Sequence, residues 1–361
     1  MEEFVYDLES LGWSQSFQTA FERYSLDMCS PGRIAENNGA SYQVYSQHGL
    51  VAGVISGRLR HEATSPADLP AVGDWVAIAQ RTVLGPAVIH GVLPRKSKFG
   101  RKSAGRGAEE QVIAANVDII FLVSSLNQEF NLRRLERYLV LAIDSGAMPV
   151  ILLNKSDLCP DHAELARGVQ DVADGIPVHA ISVTDGAGLQ PLDDYLIKGK
   201  TIALLGSSGV GKSSLINFLA GREMQSVGPI RMDDDRGRHT TTRRQMFVLP
   251  SGALVIDTPG LRELQMLDSP VGMAGAFEDV ESIAAGCRFR DCRHQTEPDC
   301  AVRDAMERER LNPERFLAYE KLGKEMRHAA LKTDKRAQAD QKKRWKKLCR
   351  QASDKARDRW R

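Results

Sequence analysis

The stretch LLGSSGVGKSSL, Leu204–Leu215, sets Gly-x-x-x-x-Gly-Lys-Ser between an apolar run and a helix-like one, and no other feature limits the fold as much. Gly206, Gly209 and Gly211 allow a turn tight enough for backbone N–H groups to face a phosphate. A helix opening near Lys212 brings its positive dipole end to the same point. Gly206, Ser207, Ser208, Gly209, Val210, Gly211, Lys212, Ser213 and Ser214 are therefore the expected phosphate loop. Within it, Lys212 is expected to reach the β- and γ-phosphates and Ser213 to ligate Mg²⁺.

Such a loop belongs to a mostly parallel sheet, and the surrounding sequence supplies one. VDIIFLVSSL, from Val117, is the continuous apolar run of a strand covered on both faces. NLRRLERYLVLAIDSG places Leu132, Leu135, Leu139 and Ile143 on one helical stripe and ends near Gly146. MPVILLN, IPVHAIS and KTIALLG read as further strands, DHAELARGVQDVAD as a second helix, and QMFVLPSGALVIDT as a hairpin-like pair. Alternating strands and helices predict an α/β sheet whose ligands sit at the carboxyl ends of its strands.

The other motifs fall at those ends. In IDTPG, Asp257 is placed to hold Mg²⁺ through water and Gly260 to sense a γ-phosphate with its N–H. Between the two loops lies GPIRMDDDRGRHTTTRRQ, in the position of a switch I segment. Thr241 is the expected Mg²⁺ ligand there, with Thr240 and Thr242 as alternatives, and only the γ-phosphate and Mg²⁺ would order the segment. Asn154, Lys155 and Asp157 form Asn-Lys-x-Asp. Its aspartate can accept from both N1–H and the N2 amine of guanine, which adenine does not offer, so the triplet selects GTP. Ser182, closing VHAIS, sits where a small residue's backbone touches the guanine oxygen.

The base-reading triplet precedes the phosphate loop, the reverse of a Ras-like GTPase. All these loops share one sheet edge, so cutting the chain before the strand that leads to Asn154 and rejoining it through DDYLIKGK leaves the site intact. Circular permutation is tolerated where termini lie close together. The residue after Asp257-Thr-Pro-Gly260 is Leu261, where a Ras-like enzyme has the glutamine that orients the attacking water. Leucine cannot hydrogen-bond water. His239, just before the threonines, is the candidate that positions or polarises it.

Elsewhere the texture differs. SYQVYSQHGLVAGVISGRLR, VGDWVAIA and GPAVIHGVL predict several short strands, enough for a small barrel of OB or SH3-like type, with OB the expected form. Residues 1 to about 35 show no clear period and are expected to be partly ordered at best. PRKSKFGRKSAGRG, with six Lys/Arg, no acid and three glycines, reads as a mobile linker or a phosphate-contacting loop. Cys287, Cys292, His294 and Cys300 offer three thiolates and an imidazole, a closed structural zinc shell, with free thiols as the alternative. The net charge is only +2, but Lys321–Arg361 carries sixteen Lys/Arg and five Asp/Glu, leaving the first 320 residues at −9. Trp345 and Trp360 interleave with that basic tail, which suits RNA; a solubilising tail and an amphipathic helix on anionic lipid are the competing readings. No apolar run is long enough for a membrane helix, and the start MEEFVYDLES is acidic. A cytoplasmic monomer with no membrane partner is expected.

The combination of Asn-Lys-x-Asp, phosphate loop, HTTT and Asp-x-Pro-Gly, with a β-barrel before and a Cys/His cluster after, resembles the RsgA (YjeQ) family of circularly permuted GTPases over roughly residues 40 to 310. That resemblance implies hydrolysis of GTP to GDP and phosphate, stimulated by the small (30S) ribosomal subunit during its late maturation. It implies contact with 16S rRNA, the switch I histidine at His239, and one Zn²⁺ per chain beside GTP/GDP and Mg²⁺. The implied organisation is an N-terminal extension (1–35), an OB-type RNA-binding barrel (36–108), a circularly permuted Ras-like P-loop GTPase domain (109–265) and a zinc-binding α-helical domain with the basic tail (266–361). Two other classes stay open from the residues: an RNA-binding scaffold with a structural nucleotide, and a GTPase switch for a non-ribosomal partner.

Overall fold

The computed structural model describes residues 6–39, 41–80, 85–102, 110–127, 130–224, 244–257 and 270–333. They divide into two compact units, one ending with residue 257 and one beginning with residue 270.

In the first unit, α1 (Gln15–Phe21) precedes strands β1 (Ser30–Asn37), β2 (Tyr42–Ser46) and β3 (Gly49–Ile55). After α2 (Gly57–Glu62) come β4 (Trp75–Ala79) and β5 (Ala87–Val92). They pair in the order β1-β2-β3-β5-β4, and β4 pairs back on β1 to close a barrel. β3 and β5 run parallel with α2 before β4, the OB arrangement, so the pattern that fitted two barrel types resolves to one. Alternate residues of the strands fill the interior, with Ile34, Val44, Val76 and Ile89 buried.

The N-terminal segment departs from its expectation. Trp13, Phe17 and Phe21 recur every four residues, which places them on one face of a helical turn, and Trp13 meets Trp75 of β4 edge-on at 4.6 Å. Trp75 and Leu11 are fully buried, so this segment completes the barrel's core. The basic stretch after Pro94 is also not simply a linker: β6 (Lys98–Lys102) pairs antiparallel with β7 (Glu110–Ala115), and Phe99, opposite Ala114, is buried. A single aromatic among the cations supplies the anchor.

The strands β8 (Ile119–Ser125), β9 (Met148–Asn154), β10 (Val178–Ala180), β11 (Thr201–Leu205), β12 (Arg244–Val248) and β13 (Leu254–Asp257) form the α/β part, ordered β10-β9-β8-β11-β13-β12. All neighbours are parallel except β12 with β13. Helix α3 (Leu132–Ser145) starts where Asn131 accepts from the Arg134 N–H and ends at Gly146 in the left-handed region; α4 (His162–Val172) packs beside β10. Helix α5 (Lys212–Ala220) sets Leu215 and Ile216 against Phe121, Val123 and Leu204. Both faces of β8 are buried, which is why its sequence does not alternate.

The sheet does not stop at the α/β part. β12 pairs with β1 of the barrel through Glu36↔Gln245 and Asn37↔Arg244, making one sheet of eleven strands. Three residues before that pairing, in the middle of β1, the buried Arg33 guanidinium donates to the carbonyls of Leu11, Gly73 (3.2 Å) and Asn116 (3.1 Å) and to the Thr201 hydroxyl (2.7 Å).

The second unit holds α6 (Pro270–Ala276), α7 (Glu278–Ala284), α8 (Ala301–Glu307) and α9 (Pro313–Thr333). Phe277 is fully buried beneath the Arg315 guanidinium at 4.1 Å, and Arg315 bonds both Asp279 and the Ala276 carbonyl, joining α9 to α6 and α7. Among the described residues no helix is long and apolar enough to cross a membrane.

Candidate nucleotide and metal sites

The phosphate loop leaves β11 at Leu205 and enters α5 at Lys212. Gly206 lies so close to β8 that a Cβ there would stand 2.2 Å from the Val123 carbonyl oxygen, and Gly211, at φ +96°, would put one 2.2 Å from Asn154 Nδ2. Side chains are thus excluded where the loop presses on its neighbours. Ser208 and Gly209 face outward, and Ser207, Ser213 and Ser214 are half-buried. Lys212 Nζ donates to the Gly206 (2.8 Å) and Ser207 (2.6 Å) carbonyls, which holds the ammonium over the loop where phosphate oxygens would lie.

Asn154 does two tasks that its motif alone does not reveal. Buried at the end of β9, it donates from Nδ2 to the Val210 carbonyl at 2.8 Å and accepts on Oδ1 from the Val183 N–H at 3.2 Å. One amide thereby ties the base-reading loop to the phosphate loop and to the loop after Ser182. Lys155 adopts φ +65°, unusual for a residue with a Cβ, and the turn leaves Asp157 exposed. The Ser156 N–H bonds the Ile181 carbonyl, and the buried Ser182 hydroxyl accepts from the Asp185 N–H. No local sequence signal marks the Asn154–Val210 bond, since its partners lie 56 residues apart.

Asp257 ends β13, directly beside β11. The structure therefore brings Asn154, Lys155, Asp157, Ser182, the loop from Gly206 to Ser214 and Asp257 to one edge of one sheet, at strand carboxyl ends. His239, Thr240, Thr241, Thr242, Gly260 and Leu261 lie outside the described residues.

In the second unit, the ligand atoms of Cys287, Cys292, His294 and Cys300 all lie within 4.8 Å of one another. A tetrahedral zinc ion with Zn–S of about 2.3 Å and Zn–N of about 2.0–2.1 Å sets sulfur–sulfur spacing at about 3.8 Å and sulfur–nitrogen at about 3.5 Å. Cys287 and Cys300 sulfurs are 3.9 Å apart, and His294 Nδ1 is 3.5 and 3.4 Å from them. The residues fit the metal. Burial opposes ionisation of Cys287, but the N–H groups of Val302 and Ala301 at the start of α8 outweigh it, and its pKa falls below the ordinary thiol value. Partial burial and its thiol neighbours push Cys292 up to about 11. Holding all three sulfurs as thiolates would take a cation between them.

A family profile described as RsgA GTPase matches residues 92–267. The small ribosomal subunit biogenesis GTPase RsgA of Opitutus terrae is 45% identical over 350 residues, covering 94% of this chain and 95% of its own. The chain belongs to the RsgA GTPase family. The RsgA of Syntrophotalea carbinolica is 42% identical and covers 98% of both chains. Among solved structures, YjeQ from Thermotoga maritima aligns with a TM-score of 0.63 at 26% identity, covering 82% of this chain and 98% of its own. YloQ, described as a circularly permuted GTPase, aligns with a TM-score of 0.61 at 25% identity, covering 83% of this chain and 96% of its own. As an RsgA GTPase the chain hydrolyses GTP, and its nucleotide and Mg²⁺ requirements are those of that reaction.

Proposed function

We propose that this chain hydrolyses GTP while bound to the small (30S) ribosomal subunit late in its maturation, and that hydrolysis releases it. The observation that carries this reading is near full-length similarity to relatives named small ribosomal subunit biogenesis GTPases, in a chain whose base-reading and phosphate loops are locked together by Asn154.

In this reading Asn154, Lys155, Asp157 and Ser182 take guanine, and Gly206–Ser214 with Lys212 take the phosphates. Ser213, Thr241 and, through water, Asp257 would hold Mg²⁺, which when bound neutralises charge on the β- and γ-phosphates. Gly260 senses the γ-phosphate. Leu261 supplies no hydrogen bond to water, so His239 orients the attacking water, and slow turnover of the free protein follows. The OB barrel, whose strands run from Ser30 to Val92 rather than from residue 36, and the basic tail contact 16S rRNA, the permuted GTPase domain (109–265) times release, and Cys287, Cys292, His294 and Cys300 hold a structural zinc in the last domain (266–361). The protein works in the cytoplasm as a monomer.

The deciding assay is GTP hydrolysis with and without purified small subunits at two salt concentrations. Stimulation that weakens at high salt is expected, since phosphate contacts release counterions. His239→Ala should abolish the stimulated rate and leave GTP affinity nearly unchanged. No effect of subunits on the rate would leave the GTPase without this partner.

A further inference from the structure

The edge of the nucleotide site is built partly from the barrel. Across the sheet, Glu36 of β1 pairs with Gln245 of β12, which pairs with Asp257 of β13, so one transverse row runs from barrel to carboxylate. β12 is therefore the only described strand between Asp257 and the barrel.

β12 touches β1 at just two register positions, Arg244 and Gln245. There the β1–β2 register shifts between Ile34 and Glu36, a bulge that turns β1 out of the barrel and onto β12. Where that pairing ends, a side chain takes over: the Tyr45 hydroxyl of β2 reaches past β1 and donates to the Met246 carbonyl at 3.2 Å. Met246 is the register partner of Ile256, the residue before Asp257. Tyr45 itself is held, with its ring buried and met edge-on by Tyr6 at 4.8 Å. Burial, and then the neighbouring Tyr6, push its phenol up to about 12, so it stays a donor throughout the neutral range.

We infer that Tyr45 is a positioning residue for GTP hydrolysis: by fixing the Met246 carbonyl it sets the register of β12 and so the place of the Asp257 carboxylate. Here two barrel strands, β1 and β2, grip the strand that flanks Asp257. The inference rests on reading Asp257 as the carboxylate that holds Mg²⁺ through water.

Tyr45→Phe removes one oxygen and keeps the ring against Tyr6. In the full-length protein, without subunits, kcat should fall about two- to tenfold, the range that one neutral hydrogen bond supports. The Mg²⁺ concentration giving half-maximal rate should rise by a similar factor, while KM for GTP and GDP affinity stay at parent values and the melting midpoint falls by no more than the few degrees that one hydrogen bond is worth. Amide exchange at Gln245–Val248 should quicken in the same variant. Parent-like kcat and Mg²⁺ dependence would overturn the inference, as would a fall in rate matched by an equal loss of GDP affinity. Asp257→Asn separates the two readings. If it leaves Mg²⁺ dependence unchanged, the assignment of Asp257 has failed; if it alters that dependence and Tyr45→Phe does not, only the role of Tyr45 has.

Discussion

Gly211 shows how little space a residue type can leave for substitution. Its backbone sits at φ +96°, and an added Cβ would lie 2.2 Å from the amide nitrogen with which Asn154 holds Val210. Gly209, at φ +75°, meets nothing within 4 Å. Gly209→Ala therefore suffers backbone strain alone, about 1–2 kcal/mol, whereas Gly211→Ala must also displace Asn154 and unlock both loops. Titration with GDP should show a loss of more than about 100-fold for Gly211→Ala and less than about tenfold for Gly209→Ala. Similar losses in the two variants would mean that the Asn154 lock does not matter for binding. The glycine spacing and Asn-Lys-x-Asp were legible because each is local. That one amide joins them was not, because the contact exists only after strands β9 and β11 are placed in the same sheet.

At the scale of elements, what escaped the sequence reading was anchored by few aromatic groups. The repeat of Trp13, Phe17 and Phe21 is a helical spacing, but over fewer than three turns it is easily lost among polar residues. Phe99 likewise holds a strand in a stretch whose charge spoke for a loop. The long apolar strands and α3 were legible because burial on both faces or on one stripe writes itself over many positions. The Cys/His cluster was legible from its residue types, but the support beneath it was not. Glu297 accepts from the N–H groups of Arg293 (3.1 Å), Gln295 (3.0 Å) and Thr296 (3.1 Å), the chain on either side of His294. Its own N–H first, then those of Gln295 and Arg293, hold its carboxyl down at about 2. A depressed carboxylate keeps this anchor intact above its ordinary pKa and loses it only as pH falls toward about 2. Metal lost at milder acidity is thus lost through protonation of the ligands themselves. Glu297→Gln keeps one oxygen where two served three donors, and transfer of zinc to a chromogenic chelator at neutral pH should quicken about tenfold. An unchanged rate would show that the turn holds His294 without the carboxylate.

For the first unit as a whole, the question is whether barrel and GTPase part behave as one cooperative body. The sheet is continuous through β1 and β12, but only two register positions join there, so the continuity needs a second fastening. Arg33 supplies one from the middle of β1, joining the N-terminal segment at Leu11, the barrel at Gly73, the approach to β8 at Asn116 and the first residue of β11 at Thr201. Beside it Gly12 and Gly199 cross so closely that a Cβ on Gly12 would lie 2.6 Å from the Gly199 carbonyl, within the DDYLIKGK connection that rejoins the permuted chain. Burial pulls the Arg33 guanidinium down to about 10, against the attraction of Asp118 and Asp74, which leaves it a cation at neutral pH and gives every one of those acceptors a charged donor. Arg33→Met fills the space but leaves those buried acceptors without their donor, a cost of about 2–4 kcal/mol. In the parent, amides of β2–β5 and of β8 and β11 should exchange at one common rate-limiting opening, and GDP should slow both sets together. In Arg33→Met the sets should separate, with GDP protecting β8 and β11 while the barrel strands open independently. If GDP still protects the barrel to the same degree, the β1–β12 junction with the Tyr45–Met246 and Asn116–Gly73 bonds unites the two parts, and Arg33 contributes only local stability.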